Sequence, residues 1–197
     1  MRRARNRRGS AALELALGAP FLVLLLAGGA DVINYYLAQQ RIESASALLA
    51  QIITQCNTIT NADTNDFANF AQMAVGGRVN IRSTTSGSMI ISAISLTNNA
   101  ANSARVRWQY RTGVANQVSS FGTVNNAPAL SGNMTLVANQ TYFGVEIMGT
   151  TQVFVLSPRI MNSFIGPLRG VTLMVSRAAN VVPLQNAPSG TSRNCTL

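Results

Sequence analysis

Residues Arg7 to Thr54 read RRGSAALELALGAPFLVLLLAGGADVINYYLAQQRIESASALLAQIIT. Within this stretch, residues 11–30 are twenty positions with a single charge, Glu14. Twenty helical residues span about 30 Å, the thickness of a bilayer core, so a membrane-crossing helix is predicted at about 11–30. Arg2, Arg3, Arg5, Arg7 and Arg8 precede it. Cations before an apolar run predict a cytoplasmic N-terminus. Tyr35 and Tyr36 follow Asp31, where interfacial aromatic anchors sit. Beyond them Leu37, Ile42, Ala45, Leu48, Leu49, Ile52 and Ile53 recur near one apolar stripe, with Gln39, Gln40, Arg41, Glu43, Ser44 and Gln51 on the polar face. One helix over about 10–55 would be roughly 70 Å long. Its outer half can bury the stripe against a head domain.

The rest of the chain supplies that head. Residues 56–66 are rich in turn formers, and 67–75 read as a short helix ended by Gly76 and Gly77. Period-two patterning then predicts strands at Arg78–Ser83, Ser88–Thr97, Ala104–Arg111, Met134–Ala138, Tyr142–Phe154 and Gly170–Arg177. In the third of these, alternation sets Arg105, Arg107, Gln109 and Arg111 on one face and Val106, Trp108 and Tyr110 on the other. The Asn-, Ser-, Thr- and Gly-rich connectors suit antiparallel pairing. The expected fold is α+β, a long helix packed on a mainly antiparallel sheet of four to six strands. Residues 157–169 read as an insertion with Met161, Phe164, Ile165 and Leu168, either capping the core or forming an apolar docking patch.

Composition narrows the function. The chain has 197 residues, 11% charged and 47% apolar, with 15 Lys plus Arg, six acids, no His and a net charge of +9. All the basic residues are Arg. Without His there is no His-based triad or His metal site. Two Cys cannot make a Cys-only zinc site, and six dispersed acids offer few paired carboxylates. No G-x-S-x-G elbow or P-loop is present. An enzyme is therefore not expected, nor a cofactor, a metal or a small-molecule substrate. Five Arg lie in the first eight residues, and the other ten against six acids leave +4. The charge is thus a terminal feature leading into a membrane segment, not a nucleic-acid footprint.

Glu14 is the unusual member of the apolar run. A carboxylate inside a spanning helix is costly, and neither an anchor nor an ordinary signal peptide needs one. Basic residues, then Gly9, then Glu14 five positions later resemble the processing signal of type IV prepilins. That resemblance implies cleavage between Gly9 and Ser10 by a prepilin peptidase. Glu14 would then lie about one turn from a new amine at a helix N-terminus already positive by its dipole. It could pair with a neighbouring subunit's amine in a helix bundle, where such a contact is strong and sets register. The stretch from Arg7 to Thr54 further resembles the TadE-like group of minor pilins and pseudopilins of the tight adherence (Flp) pilus. Arg8-Gly9-Ser10, Glu14, Pro20, Asp31 and the amphipathic residues 37–55 carry the likeness, over about the first 55 residues. Leu15 follows Glu14 where major Flp pilins usually have Tyr, which favours a minor component. Gly18 and Pro20 are weak points where the helix could bend or loosen, since Pro20 cannot donate to Ala16.

Cys56 follows the helix and Cys195 is near the end. Outside the cytoplasm a disulfide between them is permitted, and would pin the tail 183–197 at about 4–5 kcal/mol; two unpaired thiols are the alternative. The expected layout is a basic leader 1–9, a helix 10–55, a periplasmic β-rich domain 56–182 and that tail. The expected partners are the bacterial inner membrane, the prepilin peptidase, and other pilins and the pilus assembly machinery. The competing function is a secreted or anchored adhesin whose signal peptide is cut after Ala30, as Gly28 and Ala30 are small enough for a signal peptidase.

Overall fold

The computed structural model describes residues 7–77, 79–96, 103–130, 134–151, 166–178 and 180–195. Among these residues two helices and four strands follow in the order α1 (Arg7–Ile53), α2 (Asn61–Val75), β1 (Gly87–Leu96), β2 (Ala104–Gly113), β3 (Thr141–Gly149) and β4 (Leu168–Val175), then a 3-10 turn at Pro183–Gln185. The strands form one sheet in the order β2-β1-β3-β4, and every neighbouring pair is antiparallel. The fold is α+β, with a long N-terminal helix on a four-stranded sheet.

α1 is 47 residues long, about 70 Å at 1.5 Å per residue. Its outer half packs against the sheet through Ala38, Ile42, Ala45, Leu49, Ala50 and Ile53. The stripe is offset from the one expected. Leu37 and Leu48 are exposed, while Ala38, Ser46 and Ala50 are buried. Small residues on the contact side let backbones approach closely. At the tightest point a Cβ on Gly170 would run into the Ile42 carbonyl, so only glycine fits there. β4 runs alongside α1 as an edge strand, and the helix satisfies part of that edge. The Gln39 side chain donates to the Arg169 carbonyl at 3.0 Å and accepts from the Arg169 N–H at 3.3 Å. Farther along, Ser46 and Thr172 hydroxyls bond at 2.9 Å, and Arg177 N–H donates to the Thr54 carbonyl at 2.8 Å.

α2 begins earlier than the sequence pattern suggests and absorbs the end of the presumed connector. Thr60 and Asp63 form a capping box, and Gly76 closes the helix in the left-handed region (φ 63°). Ile81 and its neighbours, expected as a strand, form turns instead, and the Gln72 side chain bonds the Val79 carbonyl and the Ile81 N–H. Residues 134–138 likewise form no strand. β3 stops at Gly149, and residues 152–154, expected to extend it, lie outside the described residues. So do residues 157–165 of the presumed insertion, whereas its Leu168 is a buried core residue of β4.

β1 is buried on both faces along all ten residues. Its near face meets the helices: Met89, Ile91 and Ala93 join Trp108, Phe143, Val145 and Ile147 in the main core. The far face holds a second cluster of Ile94, Val106, Phe121 and Tyr142. A bulge opposite Ala93 and Ile94 breaks the alternation of β2 at Arg107. Val106 therefore faces away from Trp108, and Arg105 and Arg111, opposite Ser95 and Ile90, lie on different faces. The single arginine face expected for this strand does not form.

The far face is covered by the 114–130 connector, which the sequence presents as polar linker. Phe121 lies on Gly144, where a Cβ would collide with its ring. Gln109 donates to Ser92 Oγ at 3.0 Å and to the Gly122 carbonyl at 2.9 Å. The main anchor is Glu146, fully buried in β3. Its carboxylate accepts from the Ser119 hydroxyl, from Ser120 N–H at 2.9 Å, from Ser120 Oγ at 2.6 Å and from Arg169 Nη2 at 2.7 Å. A buried charge with this many donors and an opposite charge is compensated.

Candidate functional site

The inner half of α1 stands clear of the head. Leu13, Leu15, Leu17, Phe21, Leu22, Val23, Leu24, Leu25 and Leu26 are all at least 57% exposed. Each such side chain gains about 1.5–3 kcal/mol on full burial. Together that is at least comparable to the roughly 5–15 kcal/mol that holds an ordinary domain folded, so this surface needs an apolar cover. Among the described residues one helix is long and apolar enough to cross a membrane, and it is this one.

Burial begins near Ala27 and follows one side of the helix through Asp31, Asn34, Tyr35 and Ala38 into the core. Asp31 is fully buried on that side, so this acid closes the exposed segment. Glu14 lies in the exposed portion, about 25 Å before Asp31. Gly9 and Ser10 have helical backbone at the start of α1. The helix passes Gly18 and Pro20 without interruption, and a Cβ on Gly18 would meet nothing within 4 Å.

Residues 9–50 match the family model of TadE-like proteins. The N-terminal helix is TadE-like. The match spans the exposed apolar segment and most of the face that docks on the sheet, and ends near Ala50; α2, the sheet and the tail lie beyond it. No curated protein matches the chain, and no solved structure does.

Behind the TadE-like helix, a second constellation ties the end of the chain to the helical corner. Cys56 and Cys195 form a disulfide across 139 residues, with Cα atoms 5.1 Å apart. Beside it, Asp63 is fully buried and divides its oxygens between two tasks. Oδ2 accepts from Thr60 N–H at 2.9 Å and completes the helix cap. Oδ1 accepts from the N–H groups of Asn194 at 3.0 Å and Cys195 at 3.1 Å. Thr60 Oγ1 donates to the Ser192 carbonyl at 2.8 Å, and Arg193 pairs with Asp66 through both Nε and Nη2. The Asp66 hydrogen bond and charge raise the exposed Arg193 guanidinium above its ordinary pKa. Upstream, Trp108 Nε1 donates to the Leu184 carbonyl at 2.9 Å and fixes the tail's entry. The sequence pointed to the two cysteines but not to Asp63, Asp66 or Glu146. Thr60-x-x-Asp63 is a readable capping signal, and Glu146 is the one acid inside an otherwise uncharged strand.

Proposed function

We propose that this protein is a structural component of a tight adherence (Tad/Flp) pilus, a minor pilin or pseudopilin held in the bacterial inner membrane by the first half of α1. The reading rests on one coincidence. The TadE-like match covers a helix whose first half is apolar and exposed and whose second half is bolted to a folded head. Such a helix suits lateral packing among like helices in lipid, then in a bundle. In this reading residues 1–9 are a cytoplasmic leader and prepilin peptidase cuts between Gly9 and Ser10. The head, about 56–182, and the tail, 183–197, face the periplasm. The partners are other pilins and the assembly machinery, and the chain has no catalytic task.

Glu14 is then the assembly contact. As the fifth residue of the mature chain it neutralises a neighbour's Ser10 amine in a low-dielectric bundle. Gly18 and Pro20 let the helix loosen locally as it passes from membrane to filament. The test is Glu14→Ala expressed in cells that make the pilus. Processing is expected to proceed, with the variant accumulating in the membrane and absent from sheared filaments. Incorporation at the wild-type level would sink the role of Glu14.

A further inference from the structure

The tail grip reads backbone. Three side chains one helical turn apart, Thr60, Asp63 and Asp66, take hold of residues 192–195, and only the Asp66–Arg193 contact uses a tail side chain. The split duty of Asp63 is the telling feature. A capping box needs one carboxylate oxygen. Here the other oxygen, among the described residues, serves the two tail amides alone. Four residues before Thr60 is Cys56, so the same corner presents both the grip and the thiol that the tail must reach.

We propose that the first turn of α2 is a docking site for the chain's own C-terminal tail, and that Asp63 acts there as the positioning residue for disulfide closure. The tail docks first, without any covalent bond, and so carries the Cys195 thiol to Cys56. Chance encounter across 139 residues is opposed by loop entropy, and prior docking removes most of that barrier. The chemistry is thiol–disulfide exchange with an external disulfide as oxidant. One cysteine thiolate attacks that disulfide, gives a mixed disulfide and releases one thiol. The second cysteine thiolate attacks the mixed disulfide at the protein sulfur, forms the Cys56–Cys195 bond and releases the second thiol. Two electrons pass from the pair to the oxidant, and the two thiol protons end on its released thiols. Docking accelerates the second step, because it brings the second sulfur alongside. This inference goes beyond the pilus reading and does not depend on it.

The experiment uses the full chain in detergent micelles, reduced and then exposed to oxidised glutathione, with alkylation quenching and mass analysis. Wild type is expected to close quickly with little glutathione adduct. Asp63→Asn can keep its cap oxygen on Thr60 but then turns an amide donor towards the two tail N–H groups. It is expected to close at least tenfold more slowly and to accumulate the mixed disulfide. Asn194→Pro removes one tail N–H and leaves Asp63 and the cap untouched; it is expected to slow closure in the same direction. Should Asp63→Asn lose α2, Asn194→Pro decides. In the Cys56→Ser/Cys195→Ser protein, the amides of residues 194 and 195 are expected to stay protected from hydrogen exchange. Closure of Asn194→Pro at the wild-type rate overturns the proposal, as does free exchange of those amides in the double-serine protein.

Discussion

Glu146 fastens the 114–130 connector to the far face of the sheet, and Glu146→Gln tests how much depends on its charge. The substitution keeps the volume but places an amide where four donors converge, from Ser119, both groups of Ser120 and Arg169. Hydrogen bonds to a charged group contribute about 1.5–3 kcal/mol each, and breaking one side of a buried pair costs about 3–5 kcal/mol. These contributions overlap, and about 3 kcal/mol for release of the connector is a conservative figure. At 1.4 kcal/mol per decade this is roughly a hundredfold rise in the open population. Hydrogen exchange reads it directly at Gly122, Asn125 and Ala129, whose amides bond Ser119, Val106 and Phe121 carbonyls. Their exchange should accelerate about a hundredfold, while β1 amides, paired on both sides, should change far less. Arg169→Ala should act more weakly, about 1 kcal/mol, because the Arg169 side chain is 43% exposed and water screens its charge. Less than threefold acceleration in Glu146→Gln would refute the view that this carboxylate anchors the connector.

Other outcomes follow from the same geometry. Gly170→Ala forces a methyl against the Ile42 carbonyl; about 1–3 kcal/mol of lost stability is expected, read as faster exchange along α1 near Ile42. Trp108→Phe leaves the buried Leu184 carbonyl without its donor. About 1–2 kcal/mol is expected, seen as earlier exchange at Asn186 on thermal titration. Cys56→Ser/Cys195→Ser should lose about 4–5 kcal/mol and melt about 10–20 °C lower by circular dichroism, while the docked tail persists at low temperature.

The long helix was legible because two signals agree along it: an uncharged run of bilayer length, then a 3.6-residue stripe. The stripe's offset was not legible, because Leu37 and Ala38 are both apolar, and the choice between them is made by how closely β4 approaches at Gly170. The strands that became β1 to β4 were readable from alternation. The segment 79–83 has similar alternation but no partner strand among the described residues, and it folds into turns around Gln72. Nothing local marks the bulge at Arg107, since it arises from pairing with β1, and it redistributes the arginines of β2 between two faces. The disulfide was readable from compartment and count. Its neighbour Asp63 was hidden because a buried carboxylate has the same letter as an exposed one, and only the arriving tail shows what its second oxygen does.

The role proposed for the TadE-like helix turns on where the mature chain begins. Intact mass and N-terminal analysis of protein purified from the cell envelope measure that directly. The expected first residue is Ser10, which leaves Glu14 fifth and the apolar helix whole. A chain that begins at Asp31, or one that keeps Met1 and the arginine leader, would contradict it.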